Sequence, residues 1–275
     1  MAKMLRIMPV VALLCLMACS FGCGRKPPGP NDRTKELARL GIAFNNAKLD
    51  FNMGMQAYQA GQILDAATWL ASAINRSREV TSEADFSGST AFRADAHFWY
   101  GVVLIDVFAL ADKSSLDILD KQGNKIGERA SPQLALSYMD KAIELNPAPP
   151  LYYWGKGYVY LKTGDSKQAI SWFNTAIGRD NRDPNFYSHR ALAYYELARS
   201  SEPGRERLSN LRLAQEDCSK AILLSKKQHT HAYEVLVMIY LLGGQVDQAK
   251  KVIQDMDSEG LPTNRAVEIY NRSLK

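Results

Sequence analysis

Histidines and acidic residues are the side chains here that could act as acids, bases or metal ligands, and their spacing argues against such roles. The 275-residue chain contains four histidines, and only His229 and His231 lie close together. Two residues apart on a helix, their side chains would project about 200° from each other, so they cannot chelate a metal as an i, i+4 pair would. The spacing predicts exposed polar side chains here, with His97 and His189 isolated. We therefore expect no metal site.

Sequence motifs for phosphate binding and hydrolysis are also missing. Gly54, Gly101 and Gly157 are dispersed along the chain, and no Gly-x-Ser-x-Gly or His-Glu-x-x-His stretch occurs. The formal net charge of +5 is mild for this length, and no run of Lys and Arg is interleaved with aromatic residues. The sequence predicts neither an enzyme nor a nucleic-acid-binding protein, and it gives no sign of a cofactor.

The elements that carry these residues are helices whose small and aromatic residues recur at fixed offsets. The clearest set lies in residues 150–183 and consists of Tyr153, Gly157, Tyr160, Gly164, Ala169, Phe173 and Ala176. Gly157 and Ala169 are small where two helices would cross, and Gly164 suits the positive φ of a turn. This spacing resembles the tetratricopeptide repeat (TPR), a helix–turn–helix unit of about 34 residues.

The resemblance implies an all-α fold, namely a right-handed TPR solenoid of about five helix–turn–helix repeats with capping helices. The repeats are expected near residues 47–80, 94–147, 150–183, 184–226 and 230–260, with inserts at 112–131 and 200–207. Residues 35–45 are predicted to form a leading helix, either continuous with the first repeat helix or folded back as a cap. Residues 263–274 are predicted to form a C-terminal capping helix.

Two connecting segments carry expectations of their own. Residues 77–92 are rich in Ser and Thr, which predicts a loop. The insert at 112–131 contains Gly123-Asn124 between apolar residues, which predicts a short hairpin.

The amino terminus has the pattern of an export signal. Lys3 and Arg6 precede an apolar run over residues 7–16 that is too short to span a bilayer. Leu16-Met17-Ala18-Cys19 then resembles the bacterial lipobox, which implies a signal peptide at 1–18 and acylation of Cys19. Cys23 is a weaker candidate for acylation, and a secretory signal without lipid is the other alternative. Residues 19–33, rich in Pro and Gly, are predicted to be a flexible tether.

The resemblance to bacterial lipoproteins also implies a location. The chain is expected to be exported and held at the bacterial cell membrane by its lipid. Ser20 after the acylated cysteine points to the outer membrane facing the periplasm if the cell is Gram-negative. Cys218 takes the repeat position that Phe173 holds, which predicts a buried thiol and makes pairing with Cys23 doubtful.

The concave surface of such a solenoid is lined mainly by the first helix of each repeat. The expected groove is apolar and aromatic, and its residues are Phe51, Met55, Tyr58, Phe98, Trp99, Trp154, Tyr158, Leu192, Tyr195 and Met238. Some eukaryotic members clamp an acidic carboxyl terminus with Lys, Arg and Asn at four of these places, which here hold Phe51, Met55, Trp154 and Tyr158. That activity is therefore not carried over. An apolar patch this large needs either a partner or an internal cover from residues 35–45 or 112–131.

The resemblance favours a lipid-anchored scaffold or assembly factor that binds envelope proteins or peptides in this groove. A structural adaptor whose groove is filled from within, and which binds through its convex face or loops, is the main alternative. A carrier of lipid-like small molecules is a third possibility, which co-purifying lipid would support.

Overall fold

The computed structural model describes residues 30–77, 88–111, 117 and 129–273. Eleven helices lie in this described part, and their bounds are α1 Pro30–Gln59, α2 Ile63–Ser77, α3 Ser89–Leu110, α4 Pro132–Leu145, α5 Pro150–Thr163, α6 Ser166–Arg179, α7 Pro184–Ser200, α8 Arg205–Leu224, α9 Thr230–Leu242, α10 Val246–Ser258 and α11 Asn264–Ser273. None of them is both long and apolar enough to cross a membrane. The all-α prediction is confirmed.

The chain divides into two compact units, residues 1–40 and residues 41–275. The described part of the first unit is the beginning of α1, where Arg39 pairs with Glu36 across one helical turn at 2.9 Å. Residues 35–45 lie within α1, so they belong to the helix that also supplies the first repeat helix. All contacts described below lie within the second unit.

Local signals set where the repeat helices begin. Pro132, Pro150 and Pro184 occupy the first turn of α4, α5 and α7, where a missing amide hydrogen costs nothing. The N-cap Ser131 accepts a hydrogen bond from the Leu134 amide at 3.2 Å, and Asp165 accepts one from the Gln168 amide at 3.0 Å. These start signals can be recognised in the sequence because they depend on residues within one turn of the helix.

Glycine ends the first helix of three hairpins in the left-handed conformation. Gly61, Gly164 and Gly244 have φ of 74°, 88° and 73°. At Gly164 the next amide, that of Asp165, donates to the Tyr160 carbonyl at 2.9 Å, which closes the last turn of α5. The prediction for Gly164 is thus borne out, and its counterparts in the other hairpins have the same geometry.

The two helices of a repeat approach closely at a residue that lacks a side chain. A Cβ atom added to Gly157 would lie 2.6 Å from Cε1 of Phe173, and one added to Gly101 would lie 2.9 Å from Cε of Met139. The corresponding distance from Gly54 to Cγ of Leu70 is 2.8 Å. The same small-to-large contact therefore holds three consecutive hairpins together.

Packing runs from each hairpin to the next along the chain. The paired helices α3 with α4, α5 with α6 and α7 with α8 form the hairpins, and α6 packs on α7 as α8 packs on α9. In the fourth repeat Ala191 and Cys218 are completely buried, and burial raises the pKa of the Cys218 thiol well above its usual range. The helix α11 packs on α9 through the completely buried Ala266. This stacking is the solenoid that the repeat pattern predicts.

Two predicted loops are shorter than expected. Residues 89–92 are helical, because Gly88 adopts a left-handed conformation and α3 begins directly after it. In place of the insert at 200–207, only residues 201–204 connect α7 to α8, and Arg207 donates to the Ser201 carbonyl across them. Polar residues in the first and last turns of helices were mistaken for loop.

Some predictions lie outside the described residues. These are the signal peptide at 1–18, Cys19, residues 19–29 of the predicted tether, and the hairpin around Gly123-Asn124. Residues 30–33, which were also predicted to belong to the tether, are helical because α1 begins at Pro30. The predicted capping helix at 263–274 corresponds to α11.

The close crossing of α5 and α6 gives a stability prediction. Gly157→Ala is expected to lower the free energy of unfolding by about 1–3 kcal/mol, since the new methyl group meets the ring of the completely buried Phe173. Gly178→Ala in α6 is the matched control. The added methyl group of this variant has no described atom within 4 Å, so it causes no clash. Because alanine has a higher helix propensity than glycine, the substitution should raise that free energy by roughly 0.5–1 kcal/mol. Urea unfolding followed by circular dichroism measures both, and equal effects would contradict the close crossing.

Candidate functional site

An unbroken series of aromatic rings crosses the first three repeats. Tyr58 of α1 lies 5.9 Å from Trp99 of α3, measured between ring centroids, and Trp99 lies 5.0 Å from Phe98. Phe98 is 6.4 Å from Trp154 of α5, which stacks on Tyr158 at 5.2 Å with an angle of 17° between the ring planes. We call Tyr58, Trp99, Trp154 and Tyr158, all half-buried, the aromatic row. These rings come from three different helices, so only the stacking of repeats brings them together.

Phe98 is a correction to the expected groove. Its side chain is completely buried, and its ring packs 5.2 Å from that of Tyr152 beneath the aromatic row. A Cβ on Gly155 would come within 2.7 Å of the Phe98 ring, so the ring fills the space that this glycine leaves. Phe98 therefore supports the aromatic row as core and does not line a groove.

The other expected groove residues are half-buried but less tightly connected. The ring of Phe51 lies 5.5 Å from that of Phe92, and Tyr195 packs beside Leu192 against the core of the fourth and fifth repeats. Met55 and Met238 are also half-buried. These residues therefore lie outside the aromatic row, and Leu192 and Tyr195 pack together on a different part of the core.

Asp106 of α3 ties the aromatic row together and was missed in the sequence. Its two carboxylate oxygens accept hydrogen bonds from Tyr58 and from Tyr158, each at 2.8 Å. The ammonium of Lys162 lies 3.3 Å from the same carboxylate, whose side chain is 13% exposed. One acidic group thus joins side chains of the first, second and third repeats.

The electrostatics keep both phenols as donors. Burial, and then the negative charge of Asp106, raise the pKa of Tyr58 and of Tyr158 above the usual tyrosine range. Both hydroxyl groups therefore stay protonated at physiological pH. The carboxylate is satisfied by two O–H groups and a nearby cation, which offsets the cost of its partial burial.

A usable signal for Asp106 was present in the repeat register. Asp106, Lys162 and Glu196 each stand five residues after the small residue of their repeat, which is Gly101, Gly157 or Ala191. Equivalent positions of neighbouring repeats lie side by side in a solenoid. Opposite charges at one offset therefore indicate contact, as the pair of Asp106 and Lys162 shows.

The histidines are a second correction, because the fold brings together three that looked unrelated. The ring of His189 lies 5.0 Å from that of His231, and His231 lies 6.4 Å from His229. His189 also meets the aromatic row, edge-on to Trp154 at 5.0 Å. The expectation of an isolated His189 and an exposed polar pair is wrong. The first helices of adjacent repeats, α7 and α9, pack side by side and place their histidines in contact.

Hydrogen bonds hold the rings of His189 and His229 in place, whereas one nitrogen of the His231 ring has no hydrogen-bond partner in the described structure. His189 Nδ1 lies 2.8 Å from the Asn185 carbonyl, and His229 Nε2 lies 2.9 Å from the Ser188 hydroxyl. His231 Nδ1 is 3.7 Å from Glu234, whereas its Nε2 is buried without a hydrogen-bond partner in the described structure. The Nε1 group of Trp154 is in the same situation. Buried polar atoms of this kind are costly and call for a partner.

Burial makes His189 a poor base. Removal from water, and then the neighbouring His231, lower the pKa of His189 to about 3. The same two causes lower the pKa of His229. The described residues include no group of three or more His, Cys, Asp or Glu side chains arranged to hold a metal ion. His189 and His229 are therefore suited to neutral contacts and hydrogen bonds.

These histidines predict a pH dependence of stability. Unfolded histidine has a pKa of about 6.5, so between that pH and about 3 the unfolded chain binds a proton that folded His189 does not. Stability therefore falls as the pH is lowered through 6.5. The His189 contribution to the free energy of unfolding should be about 1–2 kcal/mol smaller at pH 5 than at pH 7.5. His189→Gln should flatten the profile over this range in urea unfolding. Identical profiles for the variant and the wild type would contradict the burial of a neutral ring.

Comparison with known proteins supports the repeat architecture. The profile of the tetratricopeptide repeat matches residues 151–183. A TPR repeat-containing protein of Methanocaldococcus jannaschii is 40% identical over 70 residues, which cover 24% of this chain and only 12% of that protein. A TPR protein of Thermus thermophilus has a similar structure with a TM-score of 0.50 and 19% identity, over 65% of this chain and 82% of that chain. For MamA of Desulfovibrio magneticus the TM-score is 0.47 with 17% identity, over 78% of this chain and 94% of that chain.

The matched profile coincides with α5 and α6, the hairpin in which Gly157 contacts Phe173. The likeness to the Thermus thermophilus structure shows the fold for a larger part of the chain. Residues 151–183 are therefore a tetratricopeptide repeat, and the described helices around it have the fold of a tetratricopeptide repeat solenoid.

Proposed function

We propose that this protein is a lipid-anchored scaffold or assembly factor of the bacterial cell envelope that captures a protein partner on the aromatic row. The observation that carries the proposal is the row itself. Its two pairs of half-buried rings, Tyr58 with Trp99 and Trp154 with Tyr158, come from three repeats and are joined beneath by the buried ring of Phe98. Aromatic side chains with a polar end are the usual anchors of protein interfaces. A row of them across three repeats fits an extended or helical segment of a partner.

The rigidity of the tyrosines supports a partner at this surface. Tyr58 and Tyr158 are held in place by Asp106, so little side-chain freedom is lost when a partner binds. The aromatic row is thus organised before binding.

A structural adaptor with an internally filled groove is the second candidate. It is favoured by the complete burial of Phe98, which shows that part of the expected groove is core. In that case the convex face or the loops would bind the partner, and the aromatic row would serve stability alone. The two candidates differ in what removal of the Trp154 side chain does.

The anchor and the location rest on the sequence of the amino terminus. Leu16-Met17-Ala18-Cys19 follows a positively charged start and a short apolar run, as in exported lipoproteins. Acylation at Cys19 would hold the protein at the membrane, since each buried CH₂ contributes about 0.8 kcal/mol and more than one chain gives stable anchoring. The tether then separates the repeats from the lipid surface.

The anchor predicts a loss of lipid on one substitution. Cys19→Ser should abolish incorporation of a fatty-acid analogue and leave the signal peptide uncleaved by the lipoprotein route. Cys23→Ser is the matched control and should be labelled like the wild type. Label that persists on Cys19→Ser would refute the site, and label lost only from Cys23→Ser would move it.

The aromatic row predicts a loss of capture. The full-length protein is crosslinked in the cell envelope and then purified together with its partner. The Trp154→Ala variant should recover roughly tenfold less partner than the wild type, which is equivalent to about 1.4 kcal/mol of binding free energy. Trp172→Ala is the matched control, because Trp172 is also half-buried but packs on Lys156 and Tyr153 outside the row. The control should retain capture, and both variants should keep their helical signal.

Two results would count against the proposed surface. If Trp154→Ala lowers the free energy of unfolding by several kcal/mol, the ring is core and the adaptor candidate is favoured. If the variant leaves both stability and capture unchanged, the partner binds elsewhere.

A further inference from the structure

A cleft of about 530 Å³ lies beyond the aromatic row, towards the carboxyl-terminal end of the solenoid. Tyr158, the last ring of the row, forms one wall, and His189 and His231 form part of another. Its walls come mainly from α5, α7 and α9, the first helices of the third, fourth and fifth repeats, and from the capping helix α11, with Ser166 of α6 at one edge. The cleft therefore continues the candidate binding surface into a different chemical environment.

Three cations from three different helices line this cleft. They are Lys162 of α5, Arg199 of α7 and Arg265 of α11, with side chains 36%, 62% and 71% exposed. Glu196 is the one carboxylate among the described lining residues. Each cation lies 3.5 Å or less from a carboxylate of Asp106, Glu196 or Glu234, so the cleft offers a ligand unused N–H donors and not an uncompensated positive charge.

The carboxylates that pair with Lys162 and Arg265 occupy only a few of the N–H donors of these two cations. Lys162 lies 3.3 Å from Asp106, and Arg265 reaches Glu234 through a single nitrogen at 3.5 Å. A guanidinium has five N–H donors and an ammonium has three, so both cations keep donors for a further partner. Only Arg199 is closely paired, with Glu196 at 2.6 Å.

Arg265 is not placed there for the stability of its own helix. It stands in the first turn of α11, where the helix dipole disfavours a positive charge. Its partner Glu234 is buried, so the pair offsets part of the cost of burying that carboxylate. The Arg265 side chain is itself 71% exposed, and its remaining N–H donors are available to a ligand.

The other residues that line the cleft favour a peptide carboxylate over a free inorganic anion. Leu161, Leu192 and the ring of Tyr158 give the cleft an apolar side, and the buried Nε2 of His231 lacks a hydrogen-bond partner in the described structure. A free inorganic anion would leave the apolar side unused. A peptide segment with a carboxylate beside an apolar side chain would use both the cations and the apolar side of the cleft.

We propose that this cleft binds an acidic segment of the protein partner, in which an Asp or Glu side chain pairs with Lys162 and Arg265. The inference rests on the proposed function, since the same partner occupies the aromatic row. These cations do not stand at the positions of the eukaryotic carboxylate clamp, which here hold Phe51, Met55, Trp154 and Tyr158. The capping helix, through Arg265, becomes part of the binding surface.

The test uses two labelled peptides and the full chain purified in detergent. One peptide alternates Leu with Glu, and its control alternates Leu with Gln. Fluorescence anisotropy should show that the Leu–Glu peptide binds more tightly, with an affinity that falls as salt is raised. Arg265→Gln should weaken its binding by about fivefold, the upper range for one exposed ion pair. Arg272→Gln is the matched control, because Arg272 lies in the same helix and pairs with Glu268 outside the cleft.

Each contrary outcome overturns the inference. Equal binding of the two peptides would remove the role of the carboxylate, and an unchanged affinity of Arg265→Gln would remove the role of the cleft. Inorganic phosphate that displaces the peptide better than sodium chloride of equal ionic strength would indicate a site for free anions.

Failure here can be told apart from failure of the proposed function. Capture that requires Trp154 but shows no effect of Arg265→Gln and no peptide preference would overturn the cleft and leave the aromatic row intact. Peptide binding that requires Arg265, with capture unaffected by Trp154→Ala, would do the opposite.

Discussion

The arrangement of the aromatic row depends on one carboxylate, that of Asp106. In a solenoid each repeat contacts mainly its neighbours, so the spacing of more distant repeats is set by adding up small local rotations. Asp106 shortens that chain of contacts, because Tyr58 of the first repeat and Tyr158 of the third donate to its two oxygens. A partly buried charge is costly unless it is fully hydrogen-bonded. The carboxylate therefore favours the one arrangement that brings both phenols and Lys162 to it, and the rings of the row take their positions from that arrangement.

Most of the fold could be predicted because its determinants are local and repeated. The geometry of a single hairpin requires a glycine opposite Phe173, at Gly157, and another in the turn, at Gly164. The close contact of Gly157 recurs at the same offset at Gly54 and Gly101. What failed was also local. Ser89 and Thr90 suit the first turn of a helix as well as they suit a loop, so composition alone could not decide between the two.

The site was only partly predictable, because its contacts join residues that are far apart in the sequence. The helical period places Phe98 and Trp99 near one face. Because Gly155 has no side chain, however, the ring of Phe98 fits into the core beside it, whereas Trp99 stays in the row. His189 and His231 meet only because α7 and α9 are neighbours, which no spacing within a single repeat reveals. The contact of Asp106 with Lys162 was within reach, since both occupy the same offset of adjacent repeats with opposite charges. Comparing charges across repeats at equal offsets finds contacts that a search for motifs misses.

The chemistry of the concave surface changes in one direction along the solenoid. Apolar and aromatic side chains dominate from Tyr58 to Trp154, the neutral ring of His189 follows, and exposed cations end the surface at Arg265. A partner segment lying along this surface is best matched when its apolar residues meet the row and its acidic residues meet the cleft. Reversing the segment would place its carboxylates against aromatic rings and its apolar side chains beside the cations, so both ends would lose favourable contacts. For the partner proposed above, the order of these surfaces would therefore favour one orientation of the bound segment, and the closing helix would contribute to that preference because it carries Arg265.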